Sequence, residues 1–252
     1  MSRIIPFIHN YCDRWCERCY FTGSCAVFES NKETRKEETN ISDAAYTEKL
    51  THNLTDALDL LKKNAKQQGI DLDKITQAES ESIQSQMLNT RRLIKEEEII
   101  RLSKEYARLA TNVIENQALW KNKAGEILCQ HELGTVPIQE LEDQLHLMKE
   151  CKEVIGWYVF FIEIKFSRAF SGRFEFDDDD DVQSDSNGSA KIAMLAVNRS
   201  KEAWTHLFEL IPDEDNILPM LSLLQRINKL AAEKFPRALQ FVRPGFDEVG
   251  VH

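Results

Sequence analysis

Apolar residues recur three and four positions apart through most of the chain, the period of one face of an α-helix. The text SDAAYTEKLTHNLTDALDLLKKNAKQQG predicts a first long helix, with Ser42 as N-cap, a stripe of Leu50, Leu54, Leu58 and Leu61, and Gly69 as its stop. Residues 70–87 are weakly amphipathic and suit either a short helix or a polar connection. Thr90 to Asn122 reads as one charged helix carrying Ile94, Ile99, Leu102, Tyr106, Leu109, Val113, Ile114 and Leu119 on its stripe. After a turn marked by Gly134 and Pro137, Ile138 to Phe170 reads as another long helix. Its second half, VIGWYVFFIEIKF, is apolar on nearly every side and also suits a strand, but the flanks run on without a break signal and favour a helix in the middle of a bundle. Ser189 to Leu210 and Asn216 to Phe235 predict two further helices, ahead of a short irregular tail.

The pattern therefore predicts an all-α fold, an antiparallel bundle of about five helices, with a short cysteine-rich metal-binding segment at the N-terminus. The expected division is a four-cysteine segment over 1–30, a charged linker over 31–40 (NKETRKEETN) and the bundle over 41–252, interrupted by an acidic loop at 174–188. No internal repeat is visible.

Composition supports the helical reading, because 9 Gly and 6 Pro among 252 residues are too few for an all-β chain with many tight turns. The longest apolar run, Val154 to Ile162, is about half of what a membrane-spanning helix needs, and MSRIIPFIHN lacks the pattern of a secretory signal. A cytoplasmic protein with no membrane partner is expected. The formal charge of −10 is concentrated in FEFDDDDDVQSD (174–185), whose seven acids leave 35 acids against 32 bases elsewhere. Like charges in such a run repel, so a solvated loop is expected there. The body has no basic footprint, which argues against sequence-independent nucleic-acid binding.

The strongest chemical signal is NYCDRWCERCYFTGSCAVF, in which Cys12, Cys16, Cys19 and Cys25 are spaced C-x3-C-x2-C-x5-C. Four of six cysteines fall within fourteen residues, and in a reducing compartment such clustering points to a thiolate-bound metal rather than to disulfides. Short spacers let several thiolates converge on a soft centre with little loop ordering. Structural zinc prefers two separate Cys-x2-4-Cys pairs, and only Cys16/Cys19 makes one; unequal compact spacings are more familiar from iron–sulfur proteins. A [4Fe–4S] cluster is the first expectation and zinc the alternative. Arg14 and Arg18 could offset the thiolate charge and Trp15, Tyr20 and Phe21 could exclude water, or these residues could dock the segment on the bundle. Cys129 and Cys151 stand alone and read as buried small apolar residues rather than ligands.

Two local resemblances appear at these residues. Cys16, Cys19 and Cys25 followed by AVF resemble the last three cluster cysteines of the WhiB-like regulators, which implies a [4Fe–4S] cluster with four cysteine ligands. The match supports the cofactor rather than a regulatory role. More weakly, IIPFIHNYCDRWCERCYF, through Cys12, Cys16, Cys19 and Tyr20, resembles the opening of radical SAM enzymes, which implies an open iron for S-adenosylmethionine amid repeated βα units. No family suggests itself for the whole chain.

A second candidate site lies in the bundle. Glu163 sits in the most apolar helix, where an ionised carboxylate needs a partner, a metal or a place at the bundle edge. Glu142/His146/Glu150 and Glu202/His206/Glu209 place a histidine and carboxylates on one helical face, so Glu163, His146 and His206 are the candidate ligands of a bundle metal. Arg199 and His206 form R-x6-H, which resembles the catalytic motif of helical HEPN ribonucleases. No nucleophile and base are visibly coupled, and the reading leans away from an enzyme. The expected role is redox sensing, electron transfer or assembly with a protein or redox partner. A structural zinc interaction module and an enzyme are the alternatives.

Overall fold

The structure is a computed structural model that describes residues 4–38, 43–67, 69, 76–175 and 181–247. Among the described residues there are nine α-helices and no strand: α1 (Ala26–Glu38), α2 (Asp43–Gln67), α3 (Gln77–Glu96), α4 (Glu98–Glu115), α5 (Gln117–Glu132), α6 (Ile138–Tyr158), α7 (Phe161–Glu175), α8 (Asp185–Leu210) and α9 (Glu214–Lys234). None is long and apolar enough to cross a membrane. The chain divides into two units, one of residues 1–9 and 16–90, the other of residues 10–15 and 91–252.

The second unit is an all-α bundle. Its core is organised around α8, which packs against α6, α7 and α9, while α4 closes the bundle against α9. Small residues make this central position possible: Ala190, Ala193, Ala196, Val197, Ser200 and Ala203 are buried along α8 and let neighbouring helices approach closely. Between them Trp204 and Leu207 supply bulk, and the Trp204 indole Nε1–H donates to the Tyr106 hydroxyl at 3.1 Å, satisfying both groups in a fully buried position. On α4 the buried residues Ile99, Leu102, Tyr106, Ala110 and Val113 keep the helical period read from the sequence.

The expected helix over 90–122 is three helices in succession. It is cut at Glu97, whose ψ of 131° is extended, and at Asn116. Asn116 caps α5 by accepting from the Leu119 backbone N–H at 3.2 Å, and the Trp120 indole N–H donates to the carbonyls of Val113 and Ile114, both at 3.0 Å, so the end of α4 is not left unsatisfied. Residues 77–87, an open choice in the sequence, are helical.

The expected helix over 138–170 is likewise two, α6 and α7, divided by a turn at Val159 and Phe160. It is not apolar to the core all round. Phe160 and Ile164 are exposed while Lys165 is buried, because one side of this segment faces outward. The acidic stretch is shorter than 174–188: α7 runs to Glu175, and α8 begins at Asp185 with the Ser184 side chain accepting from the Asn187 backbone N–H. Residues 176–180 lie outside the described residues.

In the first unit, residues 31–38 of the expected linker are helical, as part of α1. Ser42, the expected N-cap, lies outside the described residues; α2 forms as expected, and Gly69 after it takes a φ of 80°, with its N–H donating to the Lys66 carbonyl at 3.1 Å. The leucine stripe of α2 is exposed.

Candidate metal centre

In the first unit the cysteine segment is built from tight turns. Residues Cys16–Arg18 form one 3₁₀ turn, closed by the Cys19 N–H donating to the Cys16 carbonyl at 3.2 Å, so the two cysteines bracket a single turn. The Phe21 backbone N–H points at the Cys19 Sγ, 3.4 Å away. A second 3₁₀ turn, Thr22–Ser24, leads to Cys25, whose carbonyl accepts from the Glu29 N–H at 3.1 Å and so opens α1. The Ile5 N–H donates to the Ser24 carbonyl at 3.0 Å, which ties the start of this unit to the turn before Cys25. Tyr20 is almost wholly exposed and shields nothing.

Cys12 belongs to the second unit, on the short segment 10–15. That segment is fastened to the bundle residue by residue. Lys165 of α7 donates to the Asn10 carbonyl at 3.3 Å, and the Tyr11 hydroxyl donates to Asp185 at 3.0 Å, where Arg168 also forks onto the carboxylate. Asp13 accepts from the Tyr158 hydroxyl at 2.7 Å and from Arg199, while its carbonyl accepts from the Trp157 indole N–H at 3.0 Å. Trp15 stacks on Trp157 with ring centroids 4.9 Å apart and 15° between planes. Arg14 has a φ of 60°, a left-handed conformation that only a surrounding set of fixed contacts sustains in a non-glycine residue.

The electrostatics follow from this docking. Burial pushes the Cys12 thiol pKa up, against the pull of the Arg14 backbone N–H and the Lys165 charge. Burial pushes the Lys165 ammonium down, and Arg168 adds to the effect. The Tyr158 hydroxyl is raised, first by burial and then by its hydrogen bond to Asp13.

None of the six cysteines is disulfide-bonded. Cys12, Cys16, Cys19 and Cys25 are half-buried; Cys151 is buried as expected, whereas Cys129 is exposed, because its side of α5 faces outward. Among the described residues no group of three or more His, Cys, Asp and Glu side chains is gathered at metal-binding geometry.

No protein-family model, curated protein or solved structure matches the chain.

The second candidate set is dispersed over three helices. His146 on α6 is an exposed partner of Glu150 at 4.0 Å, and His206 on α8 pairs with Glu209 at 3.4 Å. Glu163 on α7 accepts from Ser167 at 3.0 Å and lies 3.9 Å from Lys104, at the bundle edge rather than within it. Arg199, the other half of the R-x6-H pattern, is occupied by Asp13 and Tyr158.

Sequence reasoning missed Asp13, Trp157, Tyr158 and Lys165, the residues that position the Cys12 segment. Their partners lie 144 to 186 residues apart along the chain, and no local spacing encodes such pairs. Of the residues named beforehand, Trp15 takes the docking role, through its stack on Trp157.

Proposed function

We propose that Cys12, Cys16, Cys19 and Cys25 bind a thiolate-ligated metal centre, a [4Fe–4S] cluster in the first instance, and that the protein uses it in redox sensing, electron transfer or assembly with a protein partner. The observation that carries this reading is the Cys16 to Cys19 turn: two thiols bracket one 3₁₀ turn, and a backbone N–H is already directed at the Cys19 sulfur. Backbone N–H donors to cysteine sulfur stabilise the thiolate and tune a cluster bound there. The donor set fits a soft metal, and metal charge would favour the thiolate at Cys12 against the burial that now disfavours it. The bundle contributes a fixed platform for the Cys12 segment through Asp13, Tyr11 and Lys165. Structural zinc is the alternative occupant of the same thiols.

The test is anaerobic purification of the wild type and Cys16→Ser, with an absorption spectrum and iron, sulfide and zinc analysis of the same samples. The expected result is a brown protein with a broad band near about 400 nm and roughly four irons and four sulfides per chain, lost in the variant. A colourless wild type holding zinc that the variant loses would replace the cluster by a zinc clip. A wild type with neither iron nor zinc would overturn the metal reading.

A further inference from the structure

We propose that Cys16 and Cys19 are a dithiol–disulfide pair that exchanges with low-molecular-weight disulfides of the glutathione class. The inference goes beyond the metal reading and rests on the turn alone. The Cys19 N–H donates to the Cys16 carbonyl at 3.2 Å and closes a 3₁₀ turn over Cys16–Arg18. In such a turn residues i and i+3 eclipse one another, and a rise of about 2 Å per residue stands their Cα atoms about 6 Å apart. A disulfide takes a Cα separation of about 5.5–6 Å. The two thiols are therefore spaced for a bond while both are still reduced, with their side chains on one edge of the turn. No loop has to be ordered to bring them together, so the entropy of closure is already lost in the dithiol.

The turn also assigns the order of events. The Phe21 backbone N–H points at the Cys19 Sγ from 3.4 Å, and a hydrogen bond to sulfur favours the thiolate, which is the nucleophile. The Cys19 thiolate attacks one sulfur of oxidised glutathione, the S–S bond breaks, and one glutathione leaves as thiolate. Cys16 then gives up its proton and attacks the Cys19 Sγ, which forms the internal disulfide and expels the second glutathione thiolate. The two leaving thiolates take up the two protons that the cysteines lost. Two protein thiols and one glutathione disulfide thus become one protein disulfide and two glutathione thiols. Access is open, because Glu17 and Arg18 between the cysteines are exposed, Tyr20 beside them is almost wholly exposed, and both cysteines are half-buried rather than enclosed. A bound metal would need both sulfurs as thiolates, so metal and disulfide exclude each other on this turn.

The test uses the full chain, freed of metal by chelator and reductant and checked by metal analysis. It is equilibrated in mixtures of reduced and oxidised glutathione, quenched with acid, alkylated and mapped by mass spectrometry after trypsin. Cleavage at Arg14, Arg18 and Lys32 places Cys12 in residues 4–14, Cys16 in residues 15–18, and Cys19 with Cys25 in residues 19–32. Excess oxidised glutathione is expected to join 15–18 to 19–32, and excess reduced glutathione to separate them. Cys25→Ser is expected to keep the link, which assigns it to Cys19. The disulfide should be favoured at least about tenfold over that of the same chain in concentrated urea, where the turn is not preformed. Cys16→Ser combined with Cys25→Ser leaves no thiol on this unit to resolve the Cys19 adduct, so the glutathione adduct should accumulate at least about tenfold over Cys25→Ser alone. A link that Cys25→Ser abolishes, a Cys19–Cys25 bond as the main product, or a disulfide equally favoured in urea would each overturn the proposal. Because the readout is taken without metal, a chain that never binds iron or zinc can still pass it, and a chain that binds either can still fail.

Discussion

Asp13 and Tyr158 are 145 residues apart in sequence and joined by a 2.7 Å hydrogen bond, with the Arg199 guanidinium closing the triangle onto both oxygens. The tyrosine hydroxyl donates to the carboxylate and accepts from the guanidinium, so each group has its partner in a half-buried position where a missing one is costly. This triangle is one of the polar fastenings between the Cys12 segment and the bundle, and Trp15, stacked on Trp157, also meets the Tyr158 ring edge-on with centroids 6.1 Å apart.

Replacing Asp13 by Ala is expected to destabilise the bundle by about 1–3 kcal/mol, because it leaves the Tyr158 hydroxyl and the Trp15 stack without their anchor; half of the Arg199 side chain is already in water and adds little. For a unit of this size the midpoint should fall by roughly 3–10 °C. Thermal unfolding followed by circular dichroism measures the loss, and tryptophan emission should shift to the red as Trp15 leaves Trp157. Asp13→Asn, which keeps one acceptor, should lose less than the alanine. Equal stability of all three proteins would show that the triangle does not hold the segment.

Gly188 lies inside α8, where exchange of glycine for alanine ordinarily stabilises a helix by about 0.5–1 kcal/mol. Here the sign is expected to reverse. A Cβ at this position would stand 2.7 Å from the Phe241 ring and closer still to Tyr11, two rings that pack on each other with centroids 4.6 Å apart. Gly188→Ala should therefore cost about 1–3 kcal/mol in urea unfolding, and Tyr11→Ala in the same chain should recover part of that cost. A stabilised Gly188→Ala protein would contradict this packing.

Burial alone would push the Asp247 carboxyl up, yet hydrogen bonds from Arg243 and Lys191 outweigh burial and hold it well below the usual carboxylate range. A carboxyl whose folded-state pKa is depressed stabilises the protein fully above its unfolded value of about 3.9 and progressively less as pH falls below it. The difference in urea midpoint between wild type and Asp247→Asn should thus be constant from pH 7 to about 5 and shrink below about pH 4. A difference that does not change with pH would mean that Asp247 acts through shape and not charge.

Alkylation should separate the two isolated cysteines. Burial pushes the Cys151 thiol up to about 11, with Glu150 adding to the shift, and the side chain is covered; Cys129 is exposed. Iodoacetamide at pH 8, followed by peptide mass mapping, should modify Cys129 within minutes and leave Cys151 unmodified until the bundle unfolds. Equal rates would place Cys151 outside the core.

The sequence by itself determined the fold class, the helical phase of α4, α8 and α9, and the grouping of four cysteines, because each is a local property. The 3.6-residue period of Ile99, Leu102, Tyr106 and Val113 is visible in any window of eighteen residues, and so is the C-x3-C-x2-C-x5-C spacing. Its misreadings came where local continuity and tertiary demand diverge. Helix-forming text runs unbroken through Glu97, Asn116 and the turn at Val159 and Phe160, and only packing makes the chain turn at these points, with Asn116 and Trp120 satisfying the exposed backbone. Only the tertiary structure decided that Lys165 is buried while Ile164 is exposed, that Glu163 sits at an edge, and that Arg199 is engaged by Asp13. Those outcomes depend on which helix lies opposite, and pairs separated by 145 or 186 residues carry no periodic trace along the chain.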